Sequence, residues 1–259
     1  MSDTHGKFVW YELMTTDTAA AATFYGSVIG WTTSSAGMGS PDYQIFETPG
    51  EKRGVAGLMT LPDELKAMGM PPNWSGYVAV DDVDAMAEKF VELGGAMHRA
   101  PSDIDGVGRF AVVADPQGAA LILFKPLPRD DVPAEPPMGT PGFIGWHELS
   151  AQEWSSAFDF YAKVFGWTKD MAVDMGGMGT YQTFAHNGQM IGGMMTMTPD
   201  MPVTAWGYYF NVAGIDAAID RIKAGGGTVL NGPMEVPGGF VAQALDPQGG
   251  YFAISGPRG

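Results

Sequence analysis

Glu12 and Glu148 are the carboxylates whose placement in the sequence suggests chemistry. Each stands two residues after a tryptophan, in Trp10-Tyr11-Glu12 and in Trp146-His147-Glu148, within runs rich in aromatic and branched residues that predict β-strands. Side chains alternate across a strand, so Trp10, Glu12 and Met14 share one face, and Trp146, Glu148 and Ser150 share another. A carboxylate beside an indole can serve as a general base. It can also hold a cation through a charge-assisted hydrogen bond and a cation–π contact, the latter worth about 0.5–2 kcal/mol. The plainer reading is structural: an inward carboxylate pairs with an arginine or a backbone donor because leaving it unpaired is costly, and the tryptophans are large core residues. The sequence leaves these readings open.

Few other residues compete. His147 neighbours Glu148 and so falls on the opposite strand face, toward a helix or the other half, while His5, His98 and His186 lack partners at metal-ligand spacing. With no cysteine in 259 residues, disulfides, thiolate nucleophiles, iron–sulfur clusters and cysteine-ligated zinc are excluded. Gly37-Met38-Gly39 and Gly176-Gly177-Met178-Gly179 lie between strand candidates with no helix after them, so they read as hairpin loops and not phosphate cradles. No Walker or dinucleotide fingerprint is present. Gln44 and Gln182, each in a Tyr-Gln pair, are candidate polar groups for a cleft.

Fourteen basic against 29 acidic residues give a net charge of −15. Such a field repels phosphate backbones and anionic lipid and favours a neutral or cationic ligand, so neither nucleic acid nor membrane is an expected partner. No apolar run approaches 18 residues, and Met1 to Lys7 has no basic stretch feeding a long apolar one, so the expected location is the cytoplasm. Eighteen methionines supply soft, adaptable side chains suited to core filling or to an irregular apolar cavity.

The elements that must position these residues are written twice. Phe24-Tyr25 through Gly30-Trp31 recurs as Phe160-Tyr161 through Gly166-Trp167, Tyr43-Gln44-Ile45-Phe46 as Tyr181-Gln182-Thr183-Phe184, and Gly57-Leu58-Met59 as Gly193-Met194-Met195. Trp74 to Val80 recurs as Trp206 to Val212, and Asp115-Pro116-Gln117-Gly118 as Asp246-Pro247-Gln248-Gly249. Repeats this long and collinear are duplicated domains. Pro126 to Pro141 holds six prolines and reads as a stiff linker, which predicts domains over 1–125 and 142–259. In each half a strand, an acidic cap and a helix (Thr18 to Val28, Trp154 to Phe165) closed by glycine precede three short strands, and the cycle then repeats: βαβββ–βαβββ in each half.

These markers together resemble the vicinal oxygen chelate superfamily, which contains glyoxalase I, bleomycin-resistance proteins and extradiol dioxygenases, and the Trp10-Tyr11-Glu12-Leu13 start is similar to a two-domain glyoxalase-like group. The resemblance implies an α+β fold of tandem duplicated domains, each made of two βαβββ modules forming a half-open barrel around a cleft. It also implies metal ligands on the first, fourth, fifth and eighth strands. Those places hold Trp10 and Trp146, Leu58, Met59, Met194 and Met195, Ser75 and Gly207, and Ile122 and Ala253, none of which binds a hard divalent cation well. No metal and no cofactor are therefore expected. Alternation then lines the cleft with Trp10, Glu12, Tyr77, Ile122 and Phe124 from the first half, and with Trp146, Glu148, Tyr209, Asn211, Tyr251 and Ser255 from the second. This suits a metal-free protein that binds or sequesters an apolar or aromatic, even cationic, small molecule. The alternatives are a glyoxalase-like lyase, isomerase, dioxygenase or hydrolase using Glu12, Glu148 or a non-standard metal site, and a purely structural role with filled clefts. A monomer suffices, since the two halves can pair within one chain.

Overall fold

The computed structural model describes residues 2–37, 43–128, 134–199, 201 and 203–259. The first half runs β1 (Phe8–Thr15), α1 (Thr18–Ile29), β2 (Thr32–Ser35), β3 (Gln44–Glu47), β4 (Gly54–Thr60), the short helix α2 (Asp63–Ala67), β5 (Asn73–Ala79), α3 (Val83–Glu92), β6 (Ala96–Ile104), β7 (Gly108–Ala114) and β8 (Ala120–Pro126). The second runs β9 (Ile144–Ala151), α4 (Trp154–Phe165), β10 (Thr168–Asp174), a 3-10 turn at Gly176–Met178, β11 (Thr180–His186), β12 (Gln189–Thr196), β13 (Ala205–Asn211), α5 (Ile215–Ala224), β14 (Thr228–Val236), β15 (Gly239–Leu245) and β16 (Tyr251–Gly256). The strand orders β2-β3-β4-β1-β5-β8-β7-β6 and β10-β11-β12-β9-β13-β16-β15-β14 are the same order written twice. This is the α+β architecture of duplicated βαβββ modules that the repeat predicts. The helix α2 lies in a stretch where no element was expected. Of the first glycine loop, Met38 and Gly39 fall outside the described residues, as do 129–133 of the linker; the second glycine loop is the 3-10 turn joining β10 to β11.

Local chemistry explains the element boundaries. The Asp17 carboxylate accepts from Ala20 N at 2.9 Å at the start of α1, and the Glu153 carboxylate accepts from Ser155 N and Ser156 N at 3.0 and 2.8 Å at the start of α4. Those two amides hold the Glu153 carboxyl down to about 2. Gly30 and Gly166 end the same helices in the left-handed region, at φ 92° and 74°.

By contact the chain divides into two compact units. One holds Met1–Val9, Ser75–Pro133 and Trp146–Gly207; the other holds Trp10–Trp74, Ala134–Gly145 and Tyr208–Gly259. Each unit thus takes one βαβββ module from each half of the sequence.

The repeated sequence markers meet inside each unit. In the first, Tyr161 Oη donates to Asp115 Oδ2 at 3.0 Å and accepts from Trp206 Nε1 at 3.1 Å. In the second, Tyr25 Oη donates to Asp246 Oδ2 at 3.0 Å and accepts from Trp74 Nε1 at 2.9 Å. The other oxygen of each aspartate closes its own turn, Asp115 on the amides of Gln117 and Ala119, Asp246 on those of Gln248 and Gly250. The Phe-Tyr and Asp-Pro-Gln-Gly markers are therefore the two ends of one buried link, made between a module of one half and a module of the other. Burial pushes both aspartate carboxyls above their ordinary range.

The helices cover one face of their strands. Val83, Met86, Ala87 and Phe90 of α3 are buried, and so are Ala111, Val113, Leu121 and Leu123 of β7 and β8. Ile215, Ala218, Ile219 and Ile222 of α5 repeat the pattern, with Ala242, Ala244, Phe252 and Ile254 of β15 and β16. The alternate residues of these strands, among them Ile122, Phe124, Ala253 and Ser255, lie on the other face.

Candidate functional site

Both tryptophan–glutamate pairs are completed by a tyrosine. Trp146 and Glu148 sit on β9 and Tyr181 on β11; Trp146 Nε1 donates to Tyr181 Oη at 2.8 Å, and Tyr181 Oη donates to Glu148 Oε2 at 2.9 Å. In the other unit Trp10 and Glu12 sit on β1, and Tyr43 immediately precedes β3. Trp10 Nε1 donates to Tyr43 Oη at 3.3 Å, and the Tyr43 hydroxyl is hydrogen-bonded to Glu12. In both sets the indole and phenol are half-buried while the carboxylate is buried, with Glu12 7% and Glu148 8% exposed. Each carboxylate accepts a hydrogen bond from a tyrosyl hydroxyl, a partner that the strand pattern did not name.

Glycine makes this reach possible. Glu148 is opposite Gly193 on β12, and Glu12 is opposite Gly57 on β4. A Cβ added at Gly193 would collide with the Tyr181 ring, and one at Gly57 with the Tyr43 hydroxyl. The tyrosine crosses diagonally over the vacant side-chain position to the glutamate, a span an aromatic ring can cover. Burial first, then the charge of Glu12, pushes the Tyr43 hydroxyl well above its ordinary pKa. The phenol therefore stays protonated at neutral pH, as a donor held on the carboxylate.

The remaining expected site residues lie on the helix-free faces of the second and fourth modules. Tyr77 on β5 is opposite Ile122 on β8, and its ring meets Phe124 edge-on at 5.7 Å. Tyr209 on β13 is opposite Ala253 on β16, and its Oη accepts from Gln243 Nε2 at 3.2 Å. Tyr251 is half-buried and shares its strand face with Ala253 and Ser255.

Other candidates take structural posts. Gln182 is buried and its amide nitrogen donates to the backbone oxygens of Met171 and Thr183, so it is no cleft group; Gln44 is half-buried on β3. The useful residue of each Tyr-Gln pair is the tyrosine, and the signal for it was the co-repetition of Tyr-Gln with Gly57 and Gly193. His147 is buried against Phe8, ring on ring at 3.8 Å and 5°, and Nδ1 donates to Ile191 O at 2.6 Å. His186 Nε2 donates to His5 O at 2.8 Å, His5 Nε2 to Val164 O at 3.1 Å, and His98 is exposed.

A family model for the Glyoxalase/Bleomycin resistance protein/Dioxygenase superfamily matches residues 7–123 and again 144–254. This chain belongs to that superfamily. Within it, the chain is 33% identical over 253 residues to "Putative glyoxylase CFP32" of Mycobacterium tuberculosis (strain CDC 1551 / Oshkosh), covering 96% of this chain and 94% of that protein. It is 31% identical over 263 residues to "Anthracycline biosynthesis protein DnrV" of Streptomyces peucetius, covering 96% and 92%. The Mn(II)-bound glyoxalase from Novosphingobium aromaticivorans shares the fold, with a TM-score of 0.64 at 16% identity over 98% of this chain and 82% of that one. Among the described residues no three His, Cys, Asp or Glu side chains gather as a metal site. The two carboxylates nearest the first-strand ligand position, Glu12 and Glu148, carry tyrosyl hydroxyls. Nor, among the described residues, is any helix long and apolar enough to cross a membrane.

Proposed function

We propose that this superfamily member is a metal-free binding protein for an aromatic small molecule, acting as a monomer in the cytoplasm to sequester or carry its ligand. The observation that carries the reading is the duplicated Trp–Tyr–Glu set. At the first-strand position where the superfamily places a metal ligand, each copy instead offers an indole and a phenol linked in series to a buried glutamate. Flat, half-buried rings supply stacking surface, and a fixed carboxylate supplies the polar group that orients a bound molecule. Because burial and Glu12 keep Tyr43 protonated, the phenol is a donor and not a base, which favours binding over proton abstraction by tyrosine. Relatives named for anthracycline biosynthesis point to hydroxylated polycyclic aromatics as the ligand class.

The test is a titration of EDTA-dialysed protein with 1,4-dihydroxyanthraquinone, followed by tryptophan fluorescence and then by chromatography of the recovered dye. Saturable quenching that is indifferent to added Mn²⁺, with the dye recovered intact, is expected. Binding that appears only with metal, conversion of the dye, or no saturable quenching would refute the reading; conversion would favour an enzyme built on Glu12 or Glu148.

A further inference from the structure

The second and fourth modules carry the same strand framework but opposite chemistry on their helix-free faces. Register fixes the comparison position by position. On β5, β7 and β8, Tyr77 and Val112 are opposite Ile122, while Ala79 and Phe110 are opposite Phe124. On β13, β15 and β16, Tyr209 and Gln243 are opposite Ala253, while Asn211 and Val241 are opposite Ser255. Tyrosine is kept, but Ile122 becomes Ala253, Phe124 becomes Ser255, Val112 becomes Gln243 and Ala79 becomes Asn211.

Two further observations agree. Phe110 and Phe124 are buried, whereas Val241 and Ser255 at the matching places are half-buried; Ala253 is buried like Ile122, and Gln243 half-buried like Val112. The bulky wall closes on itself: the Phe124 ring lies over Gly108 and against Tyr77. The other wall is organised by its polar groups, with Ser255 Oγ donating to Asn211 Oδ1 at 2.8 Å and Gln243 Nε2 donating to Tyr209 Oη at 3.2 Å. Hydroxyls and amides each carry more than one donor or acceptor site, so side chains that bond one another can also meet a ligand's own polar atoms.

We propose that the wall of Tyr209, Asn211, Gln243 and Ser255 determines specificity, reading hydroxyl or carbonyl oxygens on an aromatic ligand, and that the matching wall of Tyr77, Ile122 and Phe124 is packed shut and takes no ligand. This rests on the binding function proposed above and narrows it to a single oxygen-reading wall.

The experiment exchanges the walls in the full-length chain. Ala253→Ile with Ser255→Phe installs the bulky wall, Ile122→Ala with Phe124→Ser installs the open one, and Ser255→Ala is a milder variant that keeps the fold; thermal melts confirm that each is folded. The first pair is expected to weaken 1,4-dihydroxyanthraquinone at least tenfold, Ser255→Ala several-fold, and the second pair not at all. Crystals of the unaltered protein soaked in phenol are expected to hold phenol against Asn211 and Ser255 and not against Ile122 and Phe124. Phenol on the Ile122–Phe124 wall or on neither, or an unchanged dye affinity in the Ala253→Ile/Ser255→Phe and Ser255→Ala proteins, would overturn the assignment. Phenol seated at Asn211 and Ser255 with no dye binding would instead overturn the polycyclic ligand class and support the wall.

Discussion

His147 converts burial into a pH dependence that can be measured. Its imidazole is stacked on Phe8 and donates Nδ1–H to the Ile191 carbonyl. Burial pulls its pKa from 6.5 to about 4, a drop the carbonyl only partly offsets. The folded chain therefore keeps this ring neutral where the unfolded chain protonates it. That difference is a stabilisation fully present above pH 6.5 and lost as the pH falls from 6.5 toward 4. At about 1.4 kcal/mol per pH unit the complete loss is about 3 kcal/mol, of which about 2 kcal/mol falls between pH 8 and pH 5. Stopping at pH 5 keeps the protein clear of its isoelectric point near 4.4, where low net charge promotes precipitation. The assay is urea unfolding of the unaltered chain and of His147→Gln at both pH values. The variant loses some stability at every pH, but the difference between the two proteins should shrink by about 2 kcal/mol on going to pH 5, because shared carboxylates cancel in the comparison. A pH-independent difference, or a His147 ring signal titrating near 6.5 in the folded protein, would show that the ring is not held neutral.

The Tyr161 link should be among the costliest single hydroxyls to remove: Tyr161→Phe strands a buried Asp115 oxygen and the buried Trp206 N–H, for about 2–4 kcal/mol in urea unfolding, and a loss below 0.5 kcal/mol would contradict the link. Gly193→Ala should displace the Tyr181 ring and shift tryptophan emission, yet be nearly silent in a Tyr181→Ala background; equal effects in both backgrounds would mean that the glycine serves another purpose. Of Glu12→Gln and Glu148→Gln, the one in the occupied cleft should weaken a cationic aromatic ligand several-fold while leaving a neutral analogue nearly unchanged in equilibrium titrations, and unchanged affinity for the cation in both variants would return both glutamates to a structural role.

The sequence by itself determined the duplication, the βαβββ order and the helix ends at Gly30 and Gly166. Those features are set by local chemistry, since caps, left-handed glycines and alternating apolar residues act within a few positions and leave a trace wherever they occur. It also marked Trp10, Glu12, Trp146 and Glu148, because strand alternation is a local property too.

Only the tertiary structure decided what those residues touch. Tyr181 reaches Glu148 across strands that are 33 residues apart in sequence, through a gap left by a glycine on a third position of the sheet. Tyr25 and Asp246 are 221 residues apart, and their link draws together modules from opposite halves of the sequence. Periodicity has no term for such distances: a tyrosine's partner is set by strand register and module packing, which depend on the whole chain closing its apolar faces at once.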